Sequence, residues 1–376
     1  MASSLRFEGC NYLRQRLVLA TLSQRPVTIS QIRADEEAPG LKDYEANFLR
    51  LLDKLTNGSK IEVNVTGTCL HYQPGFIVGG VLEHEANPQR SIGYYLEPLL
   101  MLAPFSKHPI RMKLTGATHG PDDPSADYYR LACVPLLVKL LGSKEVELKV
   151  IKRSVCPNGG GEVSFSCPIV RKVSPVWMED VGKVKRIRGM AYSIKANAGI
   201  ANRLVSSARG VLNKYLPDVY ISTDVIPRPK SVSSGYGIVL VSSSTVGPHI
   251  SHCVEGSSMM SSQRPPPHSL TESQPQESAL PEDIGQRTGM KLIEEIVRSG
   301  CVDSGLQSLP LLYMAMSDRD VSKIKLGALT PYTVQFLRHM RDYYNLVYKV
   351  EENEEDGMVT VTVVGLGYTN INKPSK

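Results

Sequence analysis

The sequence lacks paired cysteines, long apolar runs and the common catalytic motifs, and each absence excludes a class of protein. Its seven cysteines are scattered, none forms a CxxC pair, and the start MASSLRFEG carries no apolar leader. We therefore predict reduced thiols in a cytosolic or nuclear protein. No apolar run approaches the roughly 18 residues that span a bilayer, so no membrane contact is expected. Motifs of the GxSxG, HExxH and strand-following GxGxxG types are also missing.

What the chain does contain is enough apolar material for a large folded protein. It has 376 residues, of which 41% are hydrophobic and 21% are charged. This length predicts two domains, or one domain built from repeats. The net charge of +6 is a mild basic excess. It permits a nucleic-acid partner without requiring one, because net charge governs association rather than fold.

Apolar spacing predicts a repeated unit of a helix, a strand, a second helix and two strands. In the first cycle the helices cover 12–22 and 44–55, and two strands flank Thr66-Gly67. A second cycle starts near Ser91 and a third at Pro281. Three such cycles predict an α/β (α+β) fold in which repeated units bury their apolar faces against one another. The binding surface is then expected in the crevice where units meet.

Residues 184–280 break this period and predict a small inserted α/β domain. They contain a helical pattern from Asn197 to Tyr215 and two strand-like runs, DVYIST and YGIVLVSS. The end of the insert, Gly256–Ser278, is rich in serine, proline and glutamine, so we predict a disordered loop there. The predicted divisions are 1–183 for repeats one and two, 184–280 for the insert, and 281–376 for repeat three.

Three consecutive glycines, Gly159, Gly160 and Gly161, separate two strand-like runs. They suit a turn whose bare N–H groups approach an anion, as in phosphate-binding loops. They also suit a hairpin or bulge that needs positive φ, and no Gly-Lys-Ser/Thr follows them as in a Walker A loop. Arg14, in the first turn of the first predicted helix, could meet an anion together with free helical N–H groups. The alternative for Arg14 is an ordinary exposed side chain.

The predicted insert opens with four cations: Lys183, Lys185, Arg186 and Arg188. Strand alternation places the two lysines on one face and the two arginines on the other. Such a cluster is typical of RNA or phosphate binding, although charge also protects exposed strand edges. Later in the insert, His249, His252 and Cys253 are zinc-ligand types. No second pair with ligand spacing lies near them, so no metal site is predicted.

Taken in order, the motifs resemble those of the RNA 3′-terminal phosphate cyclase family over nearly the whole chain. EGCNYLR is similar to the family's EGGGQ-type opening loop followed by Leu-Arg, and GTCLHYQPG to its strand and Pro-Gly segment. GATHGPDDPSADYYRLACVPLL resembles its GGT and PSAD stretch, NGGGEV its PGGGG turn, and RIRGMAYS the opening of its inserted domain. The resemblance implies three repeats, each a β-sheet with two parallel helices, plus a small inserted α/β domain.

The sequence departs from this family where the cyclases carry out their chemistry. In the family, a histidine of an HxxT-type segment attacks the α-phosphate of ATP and holds the nucleotide covalently. The matching segment here is GALT, and Gly327 takes the place of that histidine. Cys10 and Asn11 stand where the cyclases have consecutive glycines, so side chains should crowd the approach to a phosphate. His339 lies about three turns along the next helix, too far to substitute.

These losses on a retained scaffold resemble a eukaryotic, non-catalytic branch of the family. The resemblance implies a nuclear and nucleolar ribosome biogenesis factor for the small (40S) subunit, without cyclase activity and without a cofactor. It would act in early pre-rRNA processing within the small-subunit processome. Its implied partners are a large ribosome-assembly GTPase, pre-rRNA and processome components, and the protein would be monomeric outside that complex.

A charged loop offers an alternative function, that of a pre-rRNA endonuclease. Arg319 and Lys323 would stabilise charge on a phosphate, and Asp320 could act as a base toward a 2′-hydroxyl. The residue types fit this chemistry, but nothing in the sequence sets their geometry. The competing interpretation is an ordinary solvated loop.

Overall fold

Three sheets of identical topology form most of the molecule. The computed structural model describes residues 4–226, 233–258 and 280–372. In each of the three sheets, the first two strands in chain order are parallel neighbours. The fourth strand then lies between the second and the third and is antiparallel to both. The predicted α/β (α+β) fold with three repeated units is therefore confirmed.

The first unit packs helices α1 (Leu13–Ser23) and α2 (Asp43–Leu55) on its sheet. Helix α2 buries an apolar stripe that includes Phe48, Leu52 and Leu55. The sheet consists of β1 (Leu5–Glu8), β2 (Val27–Ser30), β4 (Lys60–Val63) and β5 (Leu70–Gln73). A separate two-stranded ladder joins β3 (Thr56–Asn57) to β6 (Phe76–Ile77).

The second unit begins with a strand that the sequence pattern did not predict, β7 (Gly79–Glu85). Its helices are α3 (Gly93–Leu102), the short α4 (Ala126–Tyr128) and α5 (Val134–Leu141). A π-helical turn, Tyr129–Cys133, joins α4 to α5. The remaining strands are β8 (His108–Gly116), β9 (Glu147–Lys152) and β10 (Gly161–Cys167). A 3₁₀ turn, Ala103–Phe105, follows α3.

The third unit is split by the insert. Its first strand, β11 (Trp177–Met178), precedes the insert and pairs with β16 (Val321–Leu326), which follows it. Helices α8 (Ser308–Met316) and α9 (Pro331–Tyr344) and strands β17 (Lys349–Glu352) and β18 (Val359–Val364) complete the unit. Cys301 Sγ donates a hydrogen bond to Met178 O at 3.2 Å. The chain therefore leaves and re-enters the third unit at neighbouring points.

The insert is a four-stranded sheet covered by two helices. Its strands, in the spatial order β13-β12-β14-β15, are β12 (Val184–Ile194), β13 (Val219–Ile226), β14 (Gly235–Ser244) and β15 (Cys253–Ser257). The helices are α6 (Ala198–Leu212) and α7 (Pro281–Arg298). The predicted disordered loop starts within β15, and its greater part, 259–278, lies outside the described residues.

The insert extends beyond the predicted boundary at 280, because the apolar face of α7 packs on the insert. Ile284 and Leu292 of α7 belong to the same apolar cluster as Leu204 and Ala208 of α6. Gly285 allows this close approach, since a Cβ there would lie 2.5 Å from Leu204 O. A separate, larger apolar cluster runs through all three repeated units. Within the described ranges, no helix is both long and apolar enough to cross a membrane.

Candidate functional site

A cleft of about 200 Å³ opens where the first unit, the second unit and the start of α9 meet. The loop between β1 and α1 forms one wall. Gly9 in this loop has φ +71°, and Tyr12 has φ +60°, which is unusual for a residue with a side chain. The Tyr12 ring packs 5.8 Å from that of Tyr332 on α9. Cys10 and Asn11 also line the cleft, so side chains occupy the turn.

Arg14 lies in this cleft, but its guanidinium is already paired. Its Nη1 atom lies 2.8 Å from Glu97 Oε2 and donates to Tyr94 O at 2.9 Å. The guanidinium carbon also stacks 4.3 Å from the centre of the Tyr94 ring. Burial alone would lower the pKa of Arg14, but the ion pair with Glu97 raises it above its ordinary value. Arg14 is therefore not a free cation awaiting an anion.

The other two arginines of the cleft are paired in the same way. Arg33 donates two hydrogen bonds to the Glu45 carboxylate, at 2.7 and 2.8 Å. Arg90 donates two to Asp123, at 2.8 and 2.7 Å. Such bidentate pairs are strong and directional. Each arginine in the cleft thus has its own carboxylate, and an incoming anion would compete with these built-in partners.

Gly327 follows β16 and is enclosed by backbone. A Cβ at this position would lie 2.8 Å from both Arg298 O and Ser299 O, closer than real Cβ atoms come. The next residues are held as well, because Gln307 Nε2 donates to Ala328 O at 3.0 Å. Gln307 Oε1 also accepts a hydrogen bond from Thr330 N at 3.1 Å. No side chain fits at Gly327 unless the backbone moves.

His339, on the buried face of α9, has a structural environment. Its Nδ1 lies 3.0 Å from Gln15 Oε1 and its Nε2 lies 3.1 Å from Gln335 Nε2. Its ring meets that of Phe7 edge to face, with centroids 5.3 Å apart. Burial, with Arg16 nearby, lowers the pKa of His339 to about 4. It is a neutral core residue that is enclosed by its own hydrogen-bond partners.

Comparison with known proteins agrees with this architecture. The profile of the family described as RNA 3′-terminal phosphate cyclase matches residues 5–350. The chain belongs to this family. It is 48% identical to the RNA 3′-terminal phosphate cyclase-like protein of Bos taurus and 47% identical to that of Homo sapiens, over 100% of this chain and 99% of each relative. It is 42% identical to the rRNA processing protein rcl1 of Schizosaccharomyces pombe, over 98% of this chain and 97% of the relative.

The resemblance inferred from the motifs is therefore confirmed, and the remaining predicted residues can be placed on a cyclase-family scaffold.

The charged loop lies at the start of β16. Arg319 and Asp320 are exposed, and Asp320 Oδ1 accepts a hydrogen bond from Val321 N at 2.7 Å. Lys323 lies on the strand itself and pairs with Glu179 at 2.7 Å. The hydrogen bonds and ion pairs found among the described residues do not join Arg319, Asp320 and Lys323 to one another.

The basic cluster departs from the predicted alternation because β12 contains a bulge. The register shifts between Val184 and Arg186, so Lys185 is an extra residue opposite β14. As a result, Val184 and Ile187 both pack into the apolar core of the insert. The cations lie on the outside instead, with three exposed and the fourth half-buried: Lys183, Lys185, Arg186 and Arg188. Arg188 Nη1 pairs with Asp218 Oδ1 at 2.8 Å.

The glycine triplet turns a corner between β9 and β10. Gly159 and Gly160 have φ of +61° and +84°, a conformation that favours glycine. Gly161 is the first residue of β10, and a Cβ there would lie 2.8 Å from Lys152 O. The turn also touches the insert, since Asn158 N donates to Ser233 Oγ at 3.0 Å. Backbone geometry accounts for all three glycines, and anion binding by them stays a prediction.

The zinc-type residues of the insert lie on and before β15. His252 and Cys253 are buried, and His249 is half-buried. In the described part of the chain, no three His, Cys, Asp or Glu side chains are grouped as metal ligands would be. His252 instead lines a cavity together with Lys183 and Tyr215. The sequence pattern did not single out Tyr215, because it ends a helical pattern and has no recognisable motif around it.

A buried charge network joins the second unit to the insert, and sequence reasoning missed it. Asp127 is fully buried, with Arg153 Nη2 at 2.6 Å and Arg130 Nη2 at 2.8 Å from its carboxylate. Burial would raise the pKa of Asp127, but His119, Arg153 and Arg130 hold it well below its usual range. Arg153 also pairs with Asp224 of β13. The only sequence signal for this network is the position of Asp127 in the PSAD motif.

Proposed function

We propose that this protein is a non-catalytic member of the cyclase family that acts as an rRNA-processing factor in small-subunit assembly. The enclosed backbone at Gly327 carries the proposal. The cyclase reaction needs a histidine side chain at this position to attack ATP. Here the carbonyls of Arg298 and Ser299 occupy the space in which that side chain would begin. The name of the Schizosaccharomyces pombe relative, rRNA processing protein rcl1, supports the processing role.

The charge balance of the cleft supports the same conclusion. A triphosphate would bring several negative charges next to Glu45, Glu97 and Asp123, each of which already holds an arginine. Separating such a part-buried pair leaves a carboxylate without its partner, which costs several kcal/mol. His339 offers no substitute nucleophile because its two ring nitrogens lie beside Gln15 and Gln335. We therefore expect neither ATP binding at this cleft nor transfer of its nucleotide.

Incubation with ATP labelled at the α-phosphate tests the proposal directly. After denaturing electrophoresis, the protein should carry no label, whereas an active cyclase treated in parallel should be labelled. Gly327→His should also stay unlabelled, because the new side chain has no space next to Arg298 O and Ser299 O. A stable nucleotidyl adduct on the unmodified protein would refute the proposal.

The cellular setting forms a second part of the proposal, and the resemblance to the non-catalytic branch supports it. We place the protein in the nucleus and nucleolus, within the small-subunit processome, with pre-rRNA and a large ribosome-assembly GTPase as partners. Affinity purification from nuclear extract should recover that GTPase together with processome components. Depletion of the protein should cause unprocessed small-subunit precursor RNA to accumulate. Normal precursor processing after complete depletion would contradict this placement.

Endonuclease activity of the charged loop stays a prediction and lies outside this proposal. Lys323 forms an ion pair with Glu179, and Asp320 accepts a hydrogen bond from Val321 N, so each of the two already has a partner. Alanine at Arg319, Asp320 and Lys323 together provides the test. If the triple variant cleaves a precursor RNA as fast as the unmodified protein, the endonuclease hypothesis is excluded. Loss of cleavage would support it.

A further inference from the structure

Two sequence motifs that the family's chemistry does not use meet at one cavity of the insert. The cavity has a volume of about 370 Å³. Lys183 from the basic cluster and His252 from the HISHC stretch both line it. Tyr215, in the link between α6 and β13, forms part of the wall and is 46% exposed. The volume lies in the range of small-molecule sites, and the lining combines a cation, an imidazole and an aromatic ring.

His252 presents a buried polar atom that lacks a well-formed hydrogen bond within the described residues. The residue is only 5% exposed, and its Nδ1 lies 3.3 Å from Ser242 Oγ. Its Nε2 is buried and makes no hydrogen bond of good geometry within the described residues, although the backbone of Ser299 and Gly300 lies close to the ring. Burial lowers the pKa of His252, although Glu295 and nearby backbone oppose the shift, so the imidazole is neutral near pH 7. A buried polar atom without a well-formed hydrogen bond is unfavourable, and a ligand group could supply the partner.

The cations continue from the cavity along the outside of β12. Lys183 lies in the cavity wall, and Lys185 and Arg186 follow it as exposed residues. Arg188 lowers the pKa of Asp218 most strongly, and Arg186 and Lys185 contribute to the same shift. These cations therefore lie near Asp218, which belongs to the same link as Tyr215. The chain from Lys183 to Arg186 extends about 10 Å. This row of cations is longer than one phosphate group, so the single phosphate of a mononucleotide would not cover it.

We propose that this cavity binds one base of a single-stranded RNA. The base would stack on Tyr215 and form a hydrogen bond with His252 Nε2, while neighbouring phosphates contact Lys183, Lys185 and Arg186. Aromatic rings beside a line of cations are the usual means of holding single-stranded nucleic acid. The inference rests on the proposed function for the biological origin of the RNA, and it adds the site and the mode of contact.

Fluorescence anisotropy with labelled decamers of uridine and of adenosine provides the main test. Tyr215→Ala should weaken RNA binding by about 5- to 150-fold, the range observed for loss of base stacking. Tyr215→Phe retains the ring and should bind like the unmodified protein. The matched control is Tyr220→Ala, because Tyr220 is a 65% exposed tyrosine on β13 that does not line the cavity. Equal affinities for Tyr215→Ala and Tyr220→Ala would overturn the proposal.

The salt dependence tests the phosphate contacts separately. Lys185→Gln removes an exposed cation and should reduce the slope of log affinity against log salt by about 0.7. Lys349→Gln is the control, because Lys349 is an exposed lysine on β17 in the third unit. An unchanged slope for Lys185→Gln would remove the cations from the proposed contact.

Photocrosslinking and competition locate the site and separate RNA from other ligands. RNA that contains 4-thiouridine should crosslink to the peptides carrying Tyr215 or His252, and crosslinks found only elsewhere would overturn the proposal. So would competition by free AMP or UMP as strong as that by the decamer, or binding of an acidic peptide but not of RNA. The ATP-labelling test is independent of these results. If the protein does not bind RNA at this cavity and also forms no nucleotidyl adduct, the proposed site is wrong but the proposed function is not contradicted.

Discussion

Adding one methyl group at Gly327 should destabilise the third unit. The Cβ of Gly327→Ala would lie 2.8 Å from Arg298 O and Ser299 O, and both neighbours are backbone atoms that cannot rotate away. Overpacking of this kind costs about 1–3 kcal/mol. The conformation itself adds no penalty, because Gly327 does not have a positive φ. For a protein of 376 residues the cost corresponds to a fall of about 1–4 °C in melting temperature.

Tryptophan fluorescence can follow this change locally. Trp177 is the only tryptophan of the chain, and it pairs with Lys323 on β16, the strand that ends immediately before Gly327. Urea unfolding monitored at Trp177 should therefore show the loss of stability. Gly210→Ala is the matched control, because Gly210 lies in α6 and a Cβ there would have no atom within 4 Å outside its own helix backbone and chain neighbours. That control should gain about 0.5–1 kcal/mol from the better helix propensity of alanine.

The measured stability of Gly327→Ala shows whether the backbone around Gly327 is rigid or can move to accept a side chain. If Gly327→Ala unfolds at the same urea concentration as the unmodified protein, the backbone around Gly327 yields easily. A side chain would then be tolerated, and the structural argument against a nucleophile at this position would fail. If both alanine variants lose stability equally, the effect is not specific to the contact with Arg298 and Ser299.

The buried carboxylates give two further predictions. Asp127→Asn should lower the free energy of unfolding by about 3–5 kcal/mol, because Arg153, at 2.6 Å from the carboxylate, would be left as a buried charge without this partner. Thermal melting measures the change, and a loss below about 1 kcal/mol would contradict the prediction. Burial raises the pKa of Asp303 from 3.8 to about 7, so the folded state binds more protons than the unfolded chain between these values. Stability should therefore fall as pH rises from about 4 to 7. Asp303→Asn should reduce the slope of melting temperature against pH in this range, and the part due to Glu255, whose pKa burial also raises to about 7, should remain.

The sequence predicted those elements whose side chains alternate clearly between core and solvent. Helix α2 is such a case, because Phe48, Leu52 and Leu55 recur at helical spacing and are all fully buried. The leading strands of the second and third units were not predicted. Strand β11 has two residues, too few for any period to be visible. Strand β7 begins with Gly79 and Gly80 and buries only His84 fully, so its alternation is weak.

Other features depend on contacts between distant parts of the chain. An amphipathic helix shows which of its faces is buried but not which sheet covers that face, so α7 was assigned to the third unit. The bulge at Lys185 inverts the alternation of β12, and nothing in the amino-acid composition of the strand indicates it. At the cleft, the presence of Arg14 could be read from the sequence. Its partner Glu97 could not, because it lies on α3 and meets Arg14 only through the packing of two units.

The prediction that Gly327 takes the place of the family's nucleophile rests only on matching the GALT segment to the family pattern, and it stays a prediction. The sequence could not show that backbone atoms enclose this position. Gly327 is closed by the end of α7 and the residue after it, and these belong to the inserted part of the chain. The insert therefore shapes the backbone around Gly327.

The split third unit has a consequence for folding. Strands β11 and β16 are neighbours in the sheet, but the whole insert separates them along the chain. Joining them from an unfolded chain would close a long loop, and such closure is entropically costly and slow. A folded insert brings its own ends together, as the hydrogen bond from Cys301 to Met178 indicates. Early folding of the insert would therefore turn a distant pairing into a local one and set the order in which the sheet assembles.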